Sequence, residues 1–139
     1  MSKINVGRVI LGGLLAGLVV NISETILNLA VVASEMEAAL RQRNLPPLGM
    51  QPIIGFVVLA FLLGIATIWL YAAIRPRFGA GARTAVIAGV AVWFFAYVYS
   101  GVGMTLMSFL PAGLMTLTLG WGLAEIILGA LAGAWAYRE

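Results

Sequence analysis

The chain contains no cysteine, no histidine and no aspartate. Without cysteine there is no disulfide framework, no thiolate metal site and no palmitoylation site. Without histidine and aspartate, most metal-ligand sets, the hydrolytic triads and the phosphoryl-transfer motifs are excluded as well. Glu, Ser, Thr, Tyr, Arg and the single Lys3 remain as a chemical alphabet. It is too thin for an enzyme, so none is expected, and no motif asks for a cofactor or a metal.

Charge is scarce too. Only 9% of the 139 residues are charged, whereas a soluble domain carries roughly 25%. With 63% hydrophobic residues and a mean hydropathy of +1.07, the chain cannot clothe itself in a water-facing surface. Its expected solvent is a lipid bilayer. At about 20 residues per crossing, the length accommodates four spans and one domain. The net charge of +3 does not indicate nucleic-acid binding, because the basic residues are few and sit at the ends of apolar runs.

The fold expected is all-α, an integral membrane four-helix bundle. The spans fall at about 9–30, 53–74, 84–107 and 112–137. Lys3 and Arg8 precede the first, Arg75, Arg77 and Arg83 fill the turn between the second and third, and Arg138 follows the fourth. After four crossings all six share one side. The other side holds Glu35, Glu37, Arg41 and Arg43, which cancel. By the positive-inside rule both termini are cytoplasmic, which places the chain in a bacterial inner membrane. Val31-Val32-Ala33 resembles a signal-peptide cleavage site, but Asn21 to Ala33 is too long and polar for one, so the first segment is expected to be retained. Ser34-Glu35-Met36-Glu37 has capping-box spacing, and Glu37 and Arg41 form a favourable i,i+4 pair. A short outer-surface helix over about 35–43 is predicted, stopped by Pro46-Pro47.

Two acids lie within spans, Glu24 and Glu125. A charge at the bilayer centre costs at least about 2.5 kcal/mol, so such residues normally face a bundle interior or a cavity. Glu24 is 16 residues after Arg8, and Glu125 is 13 residues before Arg138. At about 1.5 Å per residue this puts the two within a helical turn of one height, on antiparallel helices. Asn21 and Asn28 share the Glu24 face. Tyr97, Tyr99 and Ser100 fall at that depth on the third span, and Ala60 and Phe61 on the second. The expected site is a polar layer of helices one, three and four: Glu24, Glu125, Asn21, Asn28, Tyr97, Tyr99 and Ser100. A low dielectric disfavours charged carboxylates, and neighbouring acids oppose double ionisation. Such a layer suits a proton, a small cation or a cationic substrate. It equally suits plain helix-to-helix hydrogen bonding, worth about 0.6 kcal/mol per bond.

Small residues make a second pattern. Gly13 and Gly17 form GxxxG on helix one, with Gly12 and Ala16 alongside, and Gly129 and Gly133 repeat it on helix four. Close packing of helices one and four is expected. Arg75, Arg77 and Arg83 lie in a Gly/Pro-rich turn that could hold a lipid head group, although topology alone accounts for them. The segment Gly122-Leu123-Ala124-Glu125-Ile126-Ile127-Leu128-Gly129 is similar to the helix-four packing motif of the small multidrug resistance transporters. Those are four-helix chains with a glutamate in the first helix. This chain departs from them in its greater length, its large first outer loop, the late position of Glu24 and the presence of Glu125. The resemblance is one of layout over a few residues on two helices.

The function expected is therefore a small oligomeric transporter or channel that binds a proton or cation at its intramembrane glutamates. The alternative is a non-catalytic accessory subunit of a larger membrane complex. The partners expected are the bilayer, further copies or a larger assembly, and no nucleic acid.

Overall fold

The computed structural model describes residues 3–137, and every regular element among them is a helix. We number these α1 (Val6–Val31), α2 (Ala33–Arg41), α3 (Met50–Phe78), α4 (Ala82–Leu106) and α5 (Ala112–Ala136). All but α2 are long and apolar enough to cross a membrane, marking a multi-pass membrane protein. Arg138, expected to close the basic side, lies outside the described residues.

Local chemistry sets the ends. The Asn5 side chain caps α1 by accepting from the Arg8 N–H at 3.1 Å. α3 carries Pro76 in its last turn and stops at Gly79, whose φ of +85° suits a residue without a Cβ. Thr84 at the start of α4 donates back to the Gly79 carbonyl at 2.7 Å, tightening the turn. α2 differs from expectation at its start. Ser34 lies inside the helix and donates to Glu35 at 2.9 Å, so no capping box forms. The Glu37–Arg41 pair is present at 2.6 Å on the surface.

α1 packs against α3 on one side and α5 on the other, α4 lies against α5, and α3 approaches α4 near their shared turn. Two adjacent faces of α1 make these contacts. A Cβ on Gly13 or Gly17 would strike the backbone of Ile65 or Phe61, and one on Gly64 would strike the Gly13 carbonyl and the Gly17 amide. The GxxxG of α1 therefore meets α3, not its counterpart on α5. The contact with α5 uses the neighbouring pair: Gly12 abuts Gly133, and Ala16 abuts Gly129. Helix one thus has two small-residue ridges about 100° apart and is clasped from both sides.

The end bearing Lys3, Arg8 and the Arg75–Arg83 turn is tightly built. Tyr71 and Tyr137 meet edge to face at 5.9 Å between ring centres, and Arg75 lies 5.3 Å from the Tyr137 ring and 5.8 Å from that of Tyr71. Tyr71 Oη accepts from the Gly81 amide at 3.1 Å, and Tyr137 Oη accepts from the Asn5 amide at 3.4 Å. Ile68, Ala85, Ala88 and Ala130 form the adjoining core. The opposite end is looser. Every residue from Met50 to Leu59 of α3 is exposed, while Gly64, Thr67, Ile68, Tyr71 and Ala72 further along are buried. At that end a smaller cluster of Leu27, Val32 and Leu114, with Leu110 and Trp121, joins α1 to α5.

Gly64→Ala is expected to cost about 1–3 kcal/mol, because its new methyl meets backbone that side-chain rotation cannot relieve. Gly55→Ala, which opens into free space, should not destabilise and gains up to about 1 kcal/mol from helix propensity. Reversible unfolding in mixed micelles checks both.

Candidate intramembrane acid site

Glu125 sits near the midpoint of α5, 13 residues after Ala112 and 11 before Ala136, and is 1% exposed. Its Oε1 accepts from Tyr97 Oη at 2.8 Å. The Glu24 carboxyl and the Ser23 hydroxyl of α1 come within interaction range of its carboxyl group. Oε2 is buried without a hydrogen-bond partner among the described residues. Glu24 is half-buried, and its Oε2 accepts from Asn28 Nδ2 at 2.8 Å. Trp121 closes the group, donating from Nε1 to Ser23 Oγ at 2.8 Å.

The α1–α5 register explains how the acids meet. Gly12 opposes Gly133 and Ala16 opposes Gly129, so continuing in steps of four sets Val20 beside Glu125 and Glu24 beside Trp121. The two Cα atoms are thus offset by four residues, about 6 Å along the axis. Helical side chains lean toward their own N-terminus. On antiparallel helices these leans oppose, so Glu24 and Glu125 reach toward each other and close the gap.

Tyr97 depends on a local irregularity. α4 contains a π-type turn over Phe94–Val98, in which the Tyr99 N–H bonds to the Phe94 carbonyl five residues back. The buried positions Thr84, Ala85, Ala88 and Gly89, continued at 3.6 residues per turn, would put Val92, Ala96, Tyr99 and Gly103 against α5. The wide turn absorbs one extra residue. Trp93, just before the turn, donates to the Leu119 carbonyl at 2.9 Å; from the turn onward Tyr97 reaches Glu125 and Gly101 is buried beside Met115. Gly122 leaves room for the Tyr97 ring, because a Cβ there would lie 2.5 Å from it. A second π-type turn, Leu27–Val31, follows Glu24 on α1. Wide turns of this kind are frequent at functional sites.

The same shift carries Tyr99 and Ser100 away from the layer. Tyr99 is 80% exposed, and Ser100 bonds to carbonyls of its own helix, those of Ala96 and Tyr97. Asn21 also works elsewhere: its Nδ2 donates to the Gly17 carbonyl at 3.0 Å and the Val57 carbonyl of α3 at 3.3 Å, tying those helices. Asn28 stays with Glu24. Ala60 and Phe61 lie opposite Gly17, seven residues before Glu24. Arg75 is not a level marker at the end of α3, because that helix runs on to Phe78. Of the arginines named for a head group, Arg75 packs on the two tyrosine rings, while Arg77 and Arg83 are exposed. Trp121 is not among the residues expected from sequence, and Gly122 is expected only as a helix-packing residue. The signal available was their spacing from Glu125: Trp121 is four residues before it and Gly122 three, both on its face.

Two carboxyls are the full acidic complement here, and no group of three or more His, Cys, Asp or Glu capable of holding a metal occurs among the described residues. No family model, curated protein or solved structure matches the chain.

Tyr97→Phe removes the one hydrogen bond to Glu125 Oε1 and is expected to cost about 1–3 kcal/mol, the penalty for leaving a buried acceptor unsatisfied. Tyr99→Phe and Ser100→Ala should be silent within about 0.5 kcal/mol. Unfolding of the three variants in mixed micelles distinguishes them.

Proposed function

We propose that this protein is a small transporter or channel of a bacterial inner membrane, binding a proton or cation at Glu24 and Glu125. The observation that carries this reading is the meeting of the two acids. They come from opposite ends of the chain, and their carboxyl groups come within interaction range of each other inside two long apolar helices of a chain with 9% charged residues. Simple helix adhesion needs a hydroxyl or amide, not two acids whose ionisation is opposed by burial and by each other. The looser end supports the reading as well. Where α3 stands exposed from Met50 to Leu59, half-buried Glu24 and exposed Asn28 lead toward the surface. Orientation follows the basic residues: Lys3, Arg8 and the Arg75–Arg83 turn face the cytoplasm, with both termini inside. A chain of 14.7 kDa has little room for a private pathway, so the working unit is an oligomer. It acts without enzymatic chemistry.

The second reading is an accessory subunit of a larger membrane complex. It draws support from the exposed aromatic side of α4, where Phe94 is 52%, Phe95 73% and Tyr99 80% exposed. Such a subunit would co-purify with its complex after gentle solubilisation.

Reconstitution into vesicles loaded with a pH dye or cation dye tests the proposal. Wild-type protein should carry proton or cation flux above that of protein-free vesicles, and Glu24→Gln and Glu125→Gln should each return it to that baseline while still inserting. Undiminished flux from the double variant rejects the proposal.

A further inference from the structure

We propose that the ligand of the acid pair is a proton shared between Glu24 and Glu125, and not a metal or organic cation. This rests on the functional reading above and narrows it. The argument is an inventory of donors and acceptors around four carboxyl oxygens. Glu125 Oε1 already takes the Tyr97 hydroxyl, and Glu24 Oε2 takes the Asn28 amide. Trp121 occupies a lone pair of Ser23 Oγ as donor. The neighbours therefore supply hydrogens, not oxygen lone pairs.

A hard divalent cation takes six or more oxygen ligands, and potassium-selective sites are built from rings of carbonyls. Asn28 turns its amide nitrogen toward Glu24, and the nearest helical carbonyls are engaged. The Asn21 carbonyl accepts from the Thr25 hydroxyl, and the Glu24 carbonyl accepts from Asn28. An organic cation needs space against the acid, yet Glu125 is 1% exposed and Tyr97 and Gly122 close one side of it.

A proton needs neither room nor further ligands. Glu125 Oε2 is buried and makes no hydrogen bond among the described residues; the Ser23 hydroxyl and the Glu24 carboxyl of α1 come within range of the Glu125 carboxyl, and Glu24 is another acceptor. Two carboxylates repel in this arrangement. One hydrogen between them turns the repulsion into a charge-assisted hydrogen bond and satisfies the orphaned oxygen. Transfer conserves charge: when the proton passes from Glu125 to Glu24, Glu125 becomes the carboxylate, Glu24 becomes neutral, and the pair keeps a single negative charge. Few other groups bear on it. Tyr97 of α4 is the titratable neighbour, α5 presents no further charged residue along 112–136, and α3 has none from Met50 to Ile74. Glu24 is half-buried and bonded to exposed Asn28, whereas Glu125 is 1% exposed, so Glu24 is the member that exchanges with solvent.

Infrared difference spectroscopy of the protein in lipid tests this directly. A protonated-carboxyl C=O band should be present at neutral pH. It should be lost in both Glu24→Gln and Glu125→Gln, retained in Tyr99→Phe, and unmoved by saturating sodium, potassium or a lipophilic organic cation. Absence of the band in wild type, or its disappearance on adding any of those cations, overturns the proposal. The cation arm uses wild-type protein and stands even if a Gln variant fails to fold. A persistent band in a protein that carries no flux would reject the transport reading while leaving the shared proton in place.

Discussion

The structure depends on how closely α1 can approach two neighbours at once. In lipid, no hydrophobic force drives apolar helices together, so contact must come from backbone proximity and polar bonds. Gly13 and Gly17 bring α1 onto Gly64 of α3, and Gly12 and Ala16 bring it onto Gly133 and Gly129 of α5. A larger side chain at any of these positions would hold the helices apart. The acid pair is thus a consequence of the glycine ridges as much as of the glutamates.

Close approach at one end and divergence at the other give the molecule two unlike halves. The basic end is closed by Tyr71 and Tyr137 meeting edge to face with Arg75 against both rings, and small residues fill the space behind them. The far end leaves ten successive residues of α3 exposed, Met50 to Leu59. The acids lie at the boundary between these halves.

Much of the layout was legible in the residues. Apolar runs between arginines mark the four long helices, and Pro111 and Gly79 mark their junctions. The convergence of Glu24 and Glu125 could be read from their distances to Arg8 and Arg138. What could not be read was rotation. Nothing in Phe94 to Val98 announces a π-type turn, because it forms in response to packing against α5. Of the three residues expected on this helix, one extra residue in a turn leaves Tyr97 in the layer and turns Tyr99 and Ser100 away. Depth on α3 failed for a related reason: Arg75 is drawn down onto Tyr137, and the helix continues past it to Phe78. The partner of each GxxxG was likewise invisible, since helix one offers two ridges and sequence alone does not say which neighbour takes which.

Absence of cysteine makes the central claim open to a direct chemical measurement. In this cysteine-free chain, Val20→Cys paired with Glu125→Cys puts two thiols at directly opposed positions of the register that brings the acids together, and mild oxidation in native-like lipid should link them within one chain. The control pair, Glu125→Cys with Tyr99→Cys, should stay reduced. Efficient intramolecular linkage of the control pair, or linkage of the first pair only between separate chains, would contradict the account.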